Sequence, residues 1–232
     1  MTNIGFHLDD IYLKIGAMNP TRHYTIFDKL CMGVDQALRA LTDNALTSGE
    51  PYPARAVEEE AMTDVQRKHS AGLMRINHAG EVCAQALYHG QAAASRACDI
   101  QEKMQQAALE EGDHLDWCKK RLDELNSHTS YLNPLWYAGS FCIGMAAGMI
   151  GDRWSLGFVV ETERQVIKHL SGHMLLLPTQ DQRSYKILER MERDEAHHRD
   201  DAILAGAHEL PAYIKSVMAL TSKIMVKTAY YL

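Results

Sequence analysis

Two segments of the chain place a glutamate three residues before a histidine. Glu111 precedes His114, and Glu195 precedes His198. Residues three apart lie on the same face of an α-helix, so each pair directs one carboxylate and one imidazole towards a common point. A single pair of this kind is common on solvated helix surfaces. Because the pattern occurs twice, we favour a shared binding site over two surface pairs.

A single glutamate precedes each pair by a similar interval. Glu81 lies 30 residues before Glu111, and Glu163 lies 32 residues before Glu195. Two residues lie level on neighbouring antiparallel helices when the turn falls midway between them. The midpoints are residue 96 and residue 179, and the second of these stands beside Pro178. The spacing therefore predicts two helical hairpins with level carboxylates.

Packing two such hairpins together would bring four carboxylates and two imidazoles to one level of a four-helix bundle. This arrangement is typical of ferritin-like di-iron and di-manganese carboxylate proteins. The candidate metal ligands, which are also the candidate catalytic residues, are Glu81, Glu111, His114, Glu163, Glu195 and His198. Four carboxylates balance two divalent cations, which makes a buried site electrostatically acceptable. Mixed oxygen and imidazole ligands suit iron or manganese, and we favour iron because oxygen chemistry needs a redox-active metal.

The rest of the sequence predicts the helices that these ligands require. Of the residues, 46% are hydrophobic and 6 are proline, and long stretches favour helix, so we predict an all-α fold. The predicted helices cover about residues 63–95, 99–126, 135–173 with a break near the glycines, 181–205 and 211–232. Residues 61–232 would form one ferritin-like di-iron domain with helices beyond the four of the bundle. Residues 1–60 would form an N-terminal extension with a short helix near 25–41.

Composition excludes some function classes. The formal net charge is -6 and no cluster of lysine or arginine occurs, so nucleic acid is not an expected partner. Five scattered cysteines without a Cys-x-x-Cys pair favour a reducing cytosol over a disulfide framework. The N-terminal residues carry no recognisable export signal.

One uncharged stretch, residues 132–151, approaches the length of a membrane-spanning helix. It contains Asn133, Pro134 and several glycines, so we expect it to contact a membrane without crossing it. Gly144 and Gly148 form a small-x-x-x-small pair that indicates close helix packing. An exposed part of its apolar residues would suit a hydrophobic ligand: Leu135, Trp136, Tyr137, Phe141, Ile143, Met145 and Met149.

Four segments together resemble one enzyme family. The segments 77–81 (NHAGE), 111–114 (EGDH), 160–163 (VETE) and 194–198 (DEAHH) are similar to those of the demethoxyubiquinone hydroxylase family of ubiquinone biosynthesis. The resemblance extends over about residues 67–232. It implies a 3-demethoxyubiquinol 3-hydroxylase, in which a non-haem di-iron centre uses O2 to hydroxylate the substrate ring and the second oxygen atom leaves as water.

The resemblance has further implications. The six candidate ligands match the family pattern, with Glu111 and Glu163 as the metal-bridging pair. The protein would lie peripherally on the cytoplasmic face of the cell membrane, where it would reach a polyprenyl quinol. Electrons would come from outside or from the bound quinone, because no Gly-x-Gly-x-x-Gly fingerprint occurs, and NADH is implied as an external source. A homo-oligomer and contacts with other ubiquinone-biosynthesis proteins stay open.

Residues near the ligands receive weaker assignments. Glu161 points to another part of the helix surface and is predicted to be a solvated carboxylate, and His197 has the wrong helical phase to be a ligand. His169, Asp113 and Asp194 could hydrogen-bond a ligand, but an ordinary structural role is as compatible with their positions. Two alternatives to the hydroxylase stay open at this point, a ferritin-like iron oxidation or storage protein and a helical interaction module without metal.

Overall fold

The computed structural model describes residues 25–42, 44–95 and 97–232. All regular structure in these ranges is α-helical, which confirms the predicted fold class. Seven helices lie in this part of the chain: α1 (Ile26–Leu41), α2 (Asp64–Ala94), α3 (Cys98–Glu124), α4 (Asn133–Ile150), α5 (Asp152–Leu176), α6 (Gln182–Leu204) and α7 (Ala212–Ala229). Helix α1 corresponds to the short helix expected near 25–41, whereas residues 1–24 of the expected extension lie outside the described residues.

Side-chain caps explain where three of the helices begin. Thr25 and Thr63 each form a capping box, with Asp28 and Gln66 as their partners, and these boxes start α1 and α2. The Asp181 side chain accepts a hydrogen bond from the Ser184 backbone N–H and starts α6. Helix α3 begins one residue earlier than predicted, because its N-cap is residue 97, an alanine, and no polar cap marks its start.

The break predicted near the glycines lies at Gly151. Its φ of 146° belongs to the region that side chains disfavour, so a glycine ends α4 and lets α5 begin at Asp152. The apolar stretch and the ligand-bearing helix are therefore two separate helices.

The four-helix bundle consists of α2, α3, α5 and α6. One hairpin has its connection between Ala94 and Cys98 and the other has its turn at residues 177–181, where the ligand spacing placed them. Two buried apolar clusters fill the bundle. The Met74 cluster includes Met74, Trp117, Leu122, Leu170, Leu188 and Met191, and the Tyr88 cluster includes Tyr88, Met104, Ala108, Val159 and Ala202. Along each helix the predicted ligands fall between these two clusters, which makes the site a polar layer in an apolar core.

The backbones of α4 and α2 approach each other closely along their length. A Cβ atom on Gly144 would lie 2.2 Å from the Leu87 carbonyl oxygen, and one on Gly90 would lie 2.3 Å from the Phe141 carbonyl oxygen. The close packing predicted for Gly144 and Gly148 is confirmed. Helix α7 then covers α2 and α5 on the same side of the bundle.

Residues 44–62 have no helix but lie against the bundle. Ala54 is fully buried, and the fully buried Arg121 of α3 forms ion pairs with Glu59 and Asp181 at 2.6 and 2.7 Å. The proposed domain boundary at residue 60 stays a prediction. Among the described helices, none is both long and apolar enough to span a bilayer.

Candidate metal centre

The four bundle helices bring all six predicted ligands together in the polar layer. One ligand atom from each of Glu81, Glu111, His114 and Glu195 lies within 4.8 Å of the others. His198 joins this group through its Nδ1 atom, which lies 3.2 Å from Glu195 Oε2. All of these side chains are buried, so the carboxylates face one another instead of water.

Glu111 and Glu195 lie between the two histidines. His114 Nδ1 lies 3.3 Å from Glu111 Oε2 and 3.0 Å from Glu195 Oε1. His198 Nδ1 lies 3.6 Å from Glu111 Oε1 and 3.2 Å from Glu195 Oε2. Each of these carboxylates thus presents one oxygen to each imidazole, which is the geometry required to bridge two ions.

Glu81 and Glu163 occupy outer positions. Glu81 Oε2 lies 3.8 Å from His114 Nδ1, on the His114 side. Glu163 contacts the Glu195 carboxylate and accepts a hydrogen bond of 2.5 Å from the buried Tyr88 hydroxyl. The bridging pair implied by the resemblance, Glu111 and Glu163, is therefore not supported by the geometry, because Glu195 holds the second central position.

The carboxylates fit a pair of cations. Each of the four glutamates has one buried oxygen that accepts no hydrogen bond: Glu81 Oε2, Glu111 Oε1, Glu163 Oε2 and Glu195 Oε1. A buried, unsatisfied carboxylate oxygen is costly, and coordination to a metal removes that cost. Four such oxygens in one layer, with two imidazoles, match a di-metal carboxylate site.

Burial and mutual repulsion shift the pKa values of the glutamates. Burial, and after it the charges of Glu111 and Glu195, raise the pKa values of Glu81 and Glu163 well above the usual range. Burial also acts to raise the pKa of Glu195, but contacts with the two histidines outweigh it and the pKa falls below the usual range. The same balance lowers the pKa of Glu111.

The histidines show the opposite balance. Burial acts to lower the pKa values of His114 and His198, but the surrounding carboxylates, led by Asp194 and Glu110, raise both well above the usual range. Without metal, the raised pKa values therefore favour protonation of both imidazoles and of the outer carboxyl groups, Glu81 and Glu163. Because metal ligands must be deprotonated, metal binding is expected to release these protons.

Two carboxylates outside the ligand set orient the imidazoles. His114 Nε2 donates to Asp194 Oδ2 at 3.3 Å, and His198 Nε2 donates to Glu110 Oε2 at 2.6 Å. These bonds leave both Nδ1 atoms facing the centre, as a ligating histidine requires. The proposed role of Asp194 is supported by this contact, whereas Glu110 and Tyr88 were missed by the sequence analysis.

A sequence signal for Glu110 did exist. Glu110 directly precedes Glu111, just as Asp194 directly precedes Glu195, so both pairs belong to an acidic-Glu-x-x-His pattern. Each preceding acid reaches the histidine of the other helix. No comparable signal identifies Tyr88, which lies on α2, 75 residues from its partner.

The remaining candidates lie outside the metal site. Asp113 accepts hydrogen bonds from Ser48 and Gly49 and so fastens residues 48 and 49 to α3. His169 Nε2 lies 3.1 Å from the Ser222 hydroxyl and connects α5 with α7.

The two residues that were set aside also make other contacts. Glu161 accepts a hydrogen bond from Gln165, and His197 Nδ1 lies 2.8 Å from the Arg193 carbonyl oxygen. Both contacts agree with the exclusion of these residues from the ligand set, but Glu161 is buried, so the prediction that its carboxylate is solvated is wrong.

A large apolar cavity adjoins the centre. Its volume is about 710 Å³, and Glu81 forms part of its wall. Helices α2, α4, α5 and α7 enclose it, largely with apolar side chains such as Leu87, Trp136, Phe158 and Met218. The stretch 132–151 thus contributes a cavity wall, which supports the expectation that it accommodates a hydrophobic ligand.

Comparison with known proteins identifies one family model that matches this chain and several similar proteins. The family model described as ubiquinone biosynthesis protein COQ7 matches residues 68–229. A 3-demethoxyubiquinol 3-hydroxylase of Acinetobacter baumannii is 56% identical over 211 residues, which cover 91% of this chain and 100% of the relative. The enzyme of the same name from Nitrosococcus oceani is 48% identical over 211 residues, covering 91% and 99%. That of Bordetella parapertussis is 52% identical over 206 residues, covering 88% and 92%.

Proposed function

The chain belongs to the ubiquinone biosynthesis protein COQ7 family, and from this premise we propose that it is a di-iron 3-demethoxyubiquinol 3-hydroxylase. It is an enzyme of ubiquinone biosynthesis, a monooxygenase whose substrates are a quinol and O2. The observation that carries the di-iron proposal is the convergence of the six predicted ligands beside an apolar cavity. Four of them form one cluster, and His198 and Glu163 contact its member Glu195. A storage role is not favoured, because the similar proteins are named as hydroxylases.

We assign the ligands of two iron ions as two half-sites. Glu81 and His114 would hold one ion, Glu163 and His198 would hold the other, and Glu111 and Glu195 would bridge them. When bound, the two ions would supply the redox chemistry that activates O2. Tyr88 donates a hydrogen bond to one oxygen of Glu163, while Asp194 and Glu110 accept hydrogen bonds from the imidazoles, so these three residues would orient the ligands of the two ions.

The cavity suits a quinol with an apolar tail. Glu81 lies in its wall, so a ring at the inner end would lie next to the metal centre. Its largely apolar walls would accommodate the first isoprene units of a polyprenyl chain and exclude water from the reacting ring. Insertion of one oxygen atom into that ring would leave the tail in place.

The cavity mouth also supports peripheral membrane contact. Leu135, Ile143, Tyr213 and Val217 line the cavity and remain exposed, with Tyr213 69% exposed and Leu135 62% exposed. A contiguous apolar rim around an apolar cavity would bind the surface of a bilayer. We propose that this rim rests on the cytoplasmic face of the cell membrane, where polyprenyl quinols partition.

The source of electrons forms a separate part of the proposal. No dinucleotide-binding fingerprint occurs in the chain. NADH would therefore act from outside or through the bound quinone instead of through a dedicated nucleotide domain. A homo-oligomer and other ubiquinone-biosynthesis proteins are further partners that the family suggests.

The test is turnover with a defined substrate. Purified iron-loaded protein is incubated with a reduced demethoxyubiquinone analogue and 18O2, and the product is examined by mass spectrometry. We expect a product that gains one labelled oxygen atom, and no product from protein stripped of metal by a chelator. Iron oxidation without labelled product, combined with assembly into a soluble cage, would instead support the storage alternative.

A further inference from the structure

A second cavity reaches the metal centre from the side opposite the quinol cavity. Its volume is about 440 Å³, and α3 and α6 supply most of its lining. Tyr88 and His198 form its inner end, whereas Glu81 belongs to the wall of the first cavity. The centre therefore has two approaches, one on each half-site.

The two approaches differ in polarity. The second cavity is lined by Lys103, Gln106, Glu110 and Asp201 together with apolar side chains, so two carboxylates outnumber one ammonium group. The wall of the first cavity includes polar residues such as Asn77 and Gln165, but its exposed surface is almost entirely apolar. A hydrated divalent cation loses solvation free energy in apolar surroundings, but it can exchange water for carboxylate and amide oxygens. The second cavity is the one that a cation can enter.

The two carboxylates that contact the histidines also differ in the charge of their own neighbours. Asp194, beside His114, is bound by the Arg190 guanidinium at 2.8 and 3.0 Å, which places a fixed positive charge in front of that imidazole. Glu110, beside His198, accepts from the neutral Gln106 amide at 2.8 Å. Within residues 25–42, 44–95 and 97–232, no lysine or arginine forms an ion pair with Glu110. Its side chain is 37% exposed.

We infer that divalent iron enters and leaves the centre through the α3–α6 cavity, with Glu110 as the last carboxylate before His198. The Arg190 side of the centre is closed to cations, and the quinol cavity serves the organic substrate. This inference rests on the proposed di-metal centre. It adds a function to Glu110, which would bind the cation transiently as well as orient His198.

Metal exchange tests the route without any quinol. Ala107 lines the second cavity and is half-buried, so Ala107→Trp should fill it. Val217 lines the first cavity, so Val217→Trp provides the matched control. Iron is extracted from loaded protein with a colorimetric chelator, and Co²⁺ uptake by the stripped protein is followed by its visible absorption.

We expect Ala107→Trp to slow both extraction and uptake at least tenfold while the final metal content stays at that of the wild type. Val217→Trp should change neither rate more than twofold. Slower exchange in Val217→Trp than in Ala107→Trp would assign metal entry to the first cavity and overturn the inference, as would equal rates in all three proteins.

A second variant that fills the same cavity is needed in case Ala107→Trp does not fold. Ala205→Phe fills the same cavity from α6 and should slow exchange in the same direction. Thermal unfolding of each variant shows whether it is folded. If wild-type protein binds no metal, the proposed centre itself fails; if it binds metal and both filled variants exchange at the wild-type rate, only the route fails.

Discussion

The two proposed half-sites contain similar candidate ligands but lie in different surroundings. His114 is 1% exposed, packs against the Trp117 ring, and contacts an acid that Arg190 holds. His198 is 9% exposed and contacts Glu110, which faces a cavity. A nearly repeated sequence pattern has therefore produced one enclosed half, which contains His114, and one half that faces a cavity, which contains His198. The difference suggests that one half maintains geometry while the other permits exchange with solvent.

The largest effect is expected from removing a carboxylate that both halves share. Glu195→Ala deletes a central candidate ligand and should reduce turnover more than about 100-fold. Loss of a residue that only hydrogen-bonds a metal ligand usually costs less than this. Glu163→Ala and Glu81→Ala each delete an outer ligand from one half and should also abolish measurable hydroxylation. Iron analysis distinguishes them, since Glu195→Ala should lose both ions and each outer variant mainly one. Normal turnover in any of the three would remove that residue from the site.

The next effect concerns residues 44–62, which contact Asp113 and Arg190 beside the enclosed half. Arg121 is fully buried and joins residues 44–62 to α3 and α6 through Glu59 and Asp181. Arg121→Met should cost about 3–5 kcal/mol, because it leaves the buried Asp181 carboxylate without its cation. Chemical denaturation measures this loss.

Lys186→Met removes an exposed ion pair with Glu189 and serves as the control, with an expected cost below about 1 kcal/mol. A similar loss in both variants would show that the Arg121 cluster does not hold the segment in place.

Asp194 and Glu110 lie outside the ligand set and each contact one histidine, so their substitution weakens metal binding in one half at a time. Asp194→Asn and Glu110→Gln retain size but remove a charge from the His114 and His198 partners, respectively. Each should lower metal affinity about 10–100-fold in its own half. Competition with a chelator, combined with spectroscopy of the remaining ion, identifies the affected half. Identical spectra for the two half-loaded variants would contradict the assignment of one acid to each half.

A smaller effect on stability is expected where residues 44–62 pack against α3. A Cβ on Gly112 would lie 1.8 Å from the Leu46 carbonyl oxygen, so Gly112→Ala should displace residues near 46 at a cost of about 1–3 kcal/mol. Gly172, in α5, has open space around its Cβ position. Gly172→Ala should therefore stabilise the protein by up to about 1 kcal/mol. Thermal unfolding of both variants tests the contrast.

The smallest expected effect is a pH slope in the metal-free protein. Because the folded-state pKa values of Glu81 and Glu163 are raised, the folded protein binds more protons than the unfolded chain above about pH 4.5. Stability should therefore fall as pH rises from that value, and the raised pKa values of His114 and His198 act in the same direction above about pH 6.5. Glu81→Gln and Glu163→Gln should each flatten the slope; an unchanged slope in both would show that these carboxyl groups do not retain protons.

The sequence predicted those features that depend on local signals or simple spacing. Thr63 and Gln66 marked a helix start, and equal distances from Glu163 and Glu195 located the second turn. Both features follow from helix geometry, which a single sequence displays directly. The identity of the six clustered side chains could therefore be predicted before any contact was known.

The features that the sequence did not reveal depend on the rotation of one helix against another. Glu111 and Glu163 were expected to bridge, but the structure places Glu195 between the histidines. Tyr88 contacts Glu163 across 75 residues and Arg121 contacts Asp181 across 60, with no periodic pattern to indicate either contact. Side-chain direction and long-range packing decide such contacts, and spacing along the chain does not encode them.

Helix α4 returns the chain from the end of α3 to the start of α5, the long crossover that joins the two hairpins. A plain loop could make that return, but here an 18-residue helix makes it and also forms one wall of the quinol cavity. The ligand-bearing helices α2 and α5 therefore supply only part of the cavity wall, and α4 and α7, which carry no predicted ligand, supply the rest. If the chain acts as proposed, substitutions in α4 would change the preference for the substrate's tail while all six predicted ligands remain.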